Sequence, residues 1–315
     1  MTALVRDPIP LAPRPGRRPP AAGAASLALR PVLDPPRRPA RVLAAFPSAV
    51  YLELRGTAEP RVVAVVSSDA VRLPNAVVMV ATRRERPFRS VREGGEAWIG
   101  DGRVEAEGLE TKVRRWWDPA PALGPVTPAA LARGVGALES ALGEAGDTAR
   151  GGLADHPDLL RLSGRCAEGD LAGAVESAER IVGLGPGLTP SGDDILAGLL
   201  VSLRLIGGAA GQDDRAVWLA DWLGAAVTAD AGTRTTSLAA TLLHCAASGG
   251  AGAEVAAVLR AVAGHEPAGP AVRRLLAAGH TSGADLAAGV HAGCRAALAL
   301  RSLRSPAGRS RKVSA

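Results

Sequence analysis

The chain changes hydrophobic period part-way along. In residues 49–55, Val50, Leu52 and Leu54 alternate with Tyr51, Glu53 and Arg55, the period-two pattern of a half-buried strand. Residues 61–67 and 76–81 are apolar, valine-rich runs between turn residues. Gly94-Gly95 and Asp101-Gly102 bracket a short apolar run at 97–100, and Asp-Gly is a strong hairpin signal. Residues 103–107 alternate again, and 109–117 completes the set. The pattern predicts a small antiparallel β barrel or sandwich over residues 41–118, a size within the ordinary domain range.

Pro119, Pro121, Gly124 and Pro125 mark a linker over 119–126. Thr127-Pro128 then reads as an N-cap with proline at the first helical position, and the period becomes helical. Further helices are predicted near 157–166, 170–183, 191–206, 213–229, 235–248, 252–264, 269–278 and 282–303. The segment 127–303 is expected to be all-α, and the fold class α+β. Aromatic residues make up only 3% of the chain, so its core must be built from Ala, Leu and Val, which lets helix axes approach closely.

The net charge of +6 belongs to the ends. The first 41 residues carry +6 and the last fifteen +5, which leaves the body near −5. Residues 1–40, rich in Pro and Arg, are expected to be a disordered extension, and residues 304–315 a disordered basic tail. Binding nucleic acid would need a basic stripe on a folded face, and the body offers none. The best apolar run, 195–206, is short and contains Arg204, so no membrane span is expected. Cys166, Cys245 and Cys294 stand far apart with no CxxC pair. That argues for small buried thiols in a cytoplasmic protein, and against a zinc site.

The segment 183–194, Gly-Leu-Gly-Pro-Gly-Leu-Thr-Pro-Ser-Gly-Asp-Asp, opens an apolar helix. Gly185, Gly187 and Gly192 let a ligand approach backbone N–H groups, and a helix N-terminus suits a small anion. Ser191 and Asp194 fit a capping box. Asp193 and Asp194 side by side could instead hold Mg²⁺ or accept from an amide; no cofactor is otherwise called for. A rigid, capped helix entry with no ligand is the plain alternative. Residues 279–289 echo the motif with one residue fewer: Ser191 matches Ser282, Asp194 matches Asp285, and Gly198 matches Gly289. Two such helix starts facing each other across one cleft would make a site, with Thr189 and Thr281 beside them. Recurrent capping in two unrelated helices is the alternative. Arg234, flanked by Thr233, Thr235 and Thr236, offers a bidentate fork for a carboxylate or phosphate. His280, within the second loop, could act as acid or base.

In this order, the glycine loop, the Thr-Arg-Thr-Thr segment and the Gly-x-Thr-Ser-Gly-x-Asp echo resemble the AllH-like family, a subunit of oxamate carbamoyltransferase from anaerobic allantoin breakdown. The resemblance spans roughly residues 41–300. It implies purine catabolism, a multi-subunit complex, and carbamoyl transfer between oxalurate and phosphate to give oxamate and carbamoyl phosphate. Under it the loop 185–192 would cradle phosphate or the carbamoyl oxygen, and Arg234 would clamp the oxamate carboxylate. Asp193 or Asp194 would accept from the amide, and His280 would shuttle protons. A non-catalytic metabolite-binding or scaffolding subunit is the other reading of the same loops.

Overall fold

The computed structural model describes residues 20–56, 59–211 and 215–302. Eight strands form a closed barrel: β1 (Ala21–Ser26), β2 (Arg38–Ala45), β3 (Ala49–Leu54), β4 (Val62–Val66), β5 (Ala76–Met79), β6 (Glu96–Gly100), β7 (Arg103–Ala106) and β8 (Leu109–Trp117). A short helix, α1 (Arg30–Leu33), lies between the first two. The order around the barrel is β1-β5-β4-β3-β2-β6-β7-β8. Two pairings are parallel, β4 with β5 and β1 with β8, so the barrel is mixed rather than antiparallel and larger than the pattern suggested.

Residues 20–40 are where the sequence expectation fails. They form β1, α1 and the start of β2, not a disordered extension. Strand β1 reads Ala-Ala-Gly-Ala-Ala-Ser, which has no β-branched signal. Its small residues answer a steric demand: a Cβ on Gly23 would lie 2.7 Å from Thr111 Cγ2 and 3.1 Å from Val77 Cγ1. Residues 1–19 and 304–315, expected to be disordered, lie outside the described residues, as does residue 303.

Helices follow: α2 (Pro128–Ala145), α3 (Pro157–Glu168), α4 (Leu171–Ile181), α5 (Ser191–Ala210), α6 (Arg215–Ala229), α7 (Ala231–Arg234), α8 (Ser237–Ala247), α9 (Ala253–Val262), α10 (Ala268–Leu276) and α11 (Ser282–Ser302). Thr127 caps α2 through the Ala130 N–H, with Pro128 behind it. Helix α5 is apolar around its circumference, and Ile195, Leu196, Leu199, Leu200, Leu203 and Ile206 are fully buried. Such a helix belongs at the centre of a core, and α6, α8 and α11 pack around it. The stretch 119–126 is pinned rather than loose. Leu123 and Val126 are buried, Val126 N–H donates to Ala209 O, and Ala251 N–H donates to Pro119 O.

One buried carboxylate joins barrel to helices. Glu53 on β3 accepts from Arg41, from Arg61 at 2.6 Å and from the Ser237 hydroxyl at the start of α8. Burial alone would raise its pKa, but the hydrogen bonds from Ser237, Arg61 and Arg41 outweigh that and hold it at about 2. One turn further along α8, Thr241 donates to Glu59 and accepts from Val62 N–H.

Helices α5 and α11 cross in near-backbone contact. A Cβ on Gly289 would lie 2.0 Å from Ile195 O, and one on Gly198 would lie 2.4 Å from Leu286 O. Both positions must be bare for the crossing to exist. Gly289→Ala is therefore expected to cost about 3 kcal/mol, the upper range for overpacking. Gly136→Ala on the exposed face of α2, where nothing lies within 4 Å, should be neutral or stabilise by up to about 1 kcal/mol. Denaturant unfolding of the two variants checks this contrast.

Candidate functional site

The close crossing brings the two motif loops together. Thr189, two residues before α5, and Ser282, the first residue of α11, have hydroxyls 3.1 Å apart. The two helix starts thus face each other, as the sequence echo requires, and Asp194 and Asp285 lie in one neighbourhood.

Asp193 is fully engaged. Its Oδ1 accepts from Gly183 N–H at 3.0 Å, and its Oδ2 accepts from the Thr235 hydroxyl. Thr236 donates to Leu188 O at 2.5 Å and caps α8 through Ala239 N–H. These bonds tie the glycine loop to the α7–α8 junction. Burial raises the Asp193 pKa, against the opposing pull of those two donors.

Asp194 differs. It is buried, and its Oδ2 has no hydrogen-bond partner. Burial pushes its carboxyl up to about 7; the Ser282 and Thr189 hydroxyls lower it, and the charges of Asp285 and Asp193 raise it. Asp285 is fully buried, with both carboxylate oxygens unpartnered.

Asp194, Thr189 and Ser282 line a cavity of about 650 Å³ between the barrel and the helices. One wall is the outer face of β3 and β4, with Ala49, Tyr51 and Val66. The opposite wall is apolar, from Ala197 and Val201 of α5, Leu238 and Leu242 of α8, and Val255 of α9. The polar lining includes Asp69, Glu254 and Arg83, which is the one cation among the lining residues. Glu254 Oε2 is buried without a partner, and burial raises the Tyr51 phenol. A largely apolar pocket with a few convergent polar groups is the usual form of a small-molecule site.

Several expected roles change. Ser191 does not cap α5: Pro190 holds the N-cap position, and its carbonyl accepts from Asp193 and Asp194 N–H. The capping box is therefore not formed. Gly192 N–H donates to Leu184 O, Gly283 N–H to Ala278 O, and Ala284 and Asp285 N–H to Thr281 O. These particular amides are taken by protein carbonyls and are not free to hold an anion.

The glycines mostly serve packing. A Cβ on Gly192 would lie 1.8 Å from Ile181 O, and one on Gly185 would lie 2.8 Å from Ser191 N. Gly187, at φ +93° and exposed, has nothing within 4 Å. Arg234 donates to Glu179 O and pairs with Asp230 at 3.6 Å, so it clamps α7 to the end of α4 and does not line the cavity. His280 and Thr281 are exposed and do not line it either. The three cysteines are buried, with burial pushing each thiol up to about 12.

Sequence reasoning missed Tyr51, Arg83 and Glu254, which no local pattern distinguishes. It also missed Gly151-Gly152, whose paired glycines were a legible signal. Cβ atoms there would lie 2.1 Å from Asp285 Oδ1 and 2.4 Å from Ser191 Oγ.

The raised Asp194 pKa has a definite sign. Unfolded, the carboxyl loses its proton near 3.8; folded, it does so at about 7. The folded state holds the proton more tightly, so this contribution is complete below 3.8 and is lost as pH rises towards 7. Asp194→Asn should remove that part of the decline. Unfolding midpoints between pH 4 and pH 8 in chelated buffer check it.

No helix among the described residues is long and apolar enough to cross a membrane. No solved structure matches the chain. The family match begins at the end of α4, contains both motif loops, and stops within α11, so the barrel lies outside it. Residues 181–294, the segment that builds the polar end of the cavity, match the family model of the oxamate carbamoyltransferase subunit AllH.

Proposed function

We propose that this chain is a subunit of a carbamoyl-transferring enzyme of the oxamate carbamoyltransferase type, and that its cavity holds the amide or carbamoyl end of the substrate. The observation that carries the reading is Asp194. It is a buried acid that lines the polar end of a largely apolar cavity, inside the family-matched segment. Oxalurate and oxamate both present an amide N–H that a carboxylate there accepts. The Thr189 and Ser282 hydroxyls beside it bond to each other, and one of the two can turn its proton to a carbonyl oxygen as charge develops there. Arg83, across the cavity, is the group to meet a carboxylate. The reaction is carbamoyl transfer between oxalurate and phosphate within allantoin breakdown, in a cytoplasmic complex whose other subunits complete the enzyme.

A second reading has an observation in its favour. His280 and Arg234, the expected shuttle and clamp, stand outside the cavity, and Asp69, Asp194 and Glu254 outnumber its one cation. That suits a subunit that binds an amide-bearing metabolite without transforming it.

The test uses the full chain, alone and with its partner subunits. Oxamate or oxalurate should raise the melting temperature of the chain, since a ligand of the folded state stabilises it. Asp194→Asn should weaken that shift and reduce carbamoyl transfer by the complex about 10- to 100-fold, the worth of a hydrogen bond to a charged group. A lost shift with turnover intact would favour the second reading. Neither ligand shift nor any effect on turnover would remove the cavity from the mechanism.

A further inference from the structure

We propose that the cavity takes a ureido or amide acid with an aliphatic body, larger than anything in oxalurate or oxamate, laid along apolar stripes of α5 and α8. The ureido or amide head rests on the carbamoyl-transfer reading; the aliphatic body does not.

The argument starts from helical spacing. Asp194, Ala197 and Val201 line the cavity at i, i+3 and i+7, so they share one face of α5. At 1.5 Å per residue that face runs about 10 Å from the carboxylate to Val201. Leu238, Leu242 and Ala246 line it at i, i+4 and i+8 of α8, a stripe about 12 Å long. The two helices run side by side in the same direction. Thr236, at the start of α8, donates to Leu188 O just before α5. Beyond the far end of α8, a Cβ on Gly249 would lie 3.2 Å from Arg204 Cδ, late in α5.

The side chains on these stripes meet open space rather than the core. Within residues 191–200, Ala197 is the only position that is not buried. Leu242 is half-buried between the buried Thr241 and Leu243. Asp194 is the one charged group that either helix gives to the cavity; Asp69, Arg83 and Glu254 come from other segments.

Size and polarity then disagree with a short substrate. Oxalurate spans only about 6 Å, by the usual backbone bond lengths. A cavity of about 650 Å³ falls among those that hold much larger, drug-sized ligands. A short polar ligand at Asp194 would leave the stripes facing water, whereas a hydrocarbon would cover them, and that burial is favourable in proportion to its area. Phosphate, as second reactant, does not account for the space, since an apolar wall offers it no donor. The facing wall, with Ala49, Tyr51 and Val66, belongs to the barrel and lies outside the family-matched segment. Head and body of the ligand are thus read by different parts of the chain.

The experiment measures binding to the full-length chain by titration calorimetry. The probes are N-carbamoylglycine, N-carbamoylnorvaline and N-carbamoylnorleucine, which share one head group, with oxalurate and hexanoate beside them. Each added methylene is worth up to about fourfold in affinity, so N-carbamoylnorleucine should bind about tenfold or more tighter than N-carbamoylglycine. Ala197→Phe and Leu242→Trp place bulk in the cavity and should bring that ratio down towards one. Circular dichroism identifies a variant that has not folded, and the other then decides. Equal or weaker binding of N-carbamoylnorleucine would overturn the aliphatic body and, with oxalurate bound, leave the carbamoyl-transfer reading standing. A ratio that persists in both folded variants would place the alkyl group elsewhere and overturn the assignment. Hexanoate binding as tightly as N-carbamoylnorleucine would uphold the body and overturn the head. No binding by any of these acids would overturn both.

Discussion

Everything at the site follows from two helices crossing without side chains between them. Gly198 and Gly289 allow the α5 and α11 backbones to meet, and the same approach sets the two motif loops side by side. Because the contact is backbone on backbone, neither helix can slide without breaking it. Packed cores are stiff on this scale. The positions of Thr189, Asp194, Ser282 and Asp285 are therefore consequences of a packing solution one to two turns away.

The acids near this crossing are in different states. Asp193 has a donor for each oxygen and works as a structural knot between the glycine loop and the start of α8. Asp194 and Asp285, related by the echo, keep unpartnered oxygens. Neighbouring carboxylates in the sequence thus divide into one that holds the loop and one that remains chemically available. The Glu53 cluster at the barrel interface is the contrasting case, a buried carboxylate with three donors and a pKa driven down rather than up.

The helical half was legible because capped, amphipathic or wholly apolar segments leave a clear period, and the echo was legible because matched residues sit at matched helix positions. What escaped the sequence did so for physical reasons. Strand β1 is made of Ala and Gly because the barrel wall is tight there, and that composition erases the strand signal. Ser191 looked like a cap, but the Pro190 carbonyl takes that role. Arg234 looked like a substrate clamp, but the end of α4 lies within its reach and uses its donors. The cavity had no local signal at all, since β3, the segment around Arg83, α5, α8 and α9 meet only after folding.

The parallel pairing of β1 with β8 has a consequence for how the molecule is made. Ala21 pairs with Thr111, so the barrel cannot close until some ninety further residues have been synthesised. At ribosomal speed that is roughly 5 to 20 s during which the β8 side of β1 stays open. A long apolar β-branched strand held open for that time would be an aggregation hazard. An Ala-Gly strand is a poor template for stray pairing, so the composition that hides β1 from the reader also protects the nascent chain.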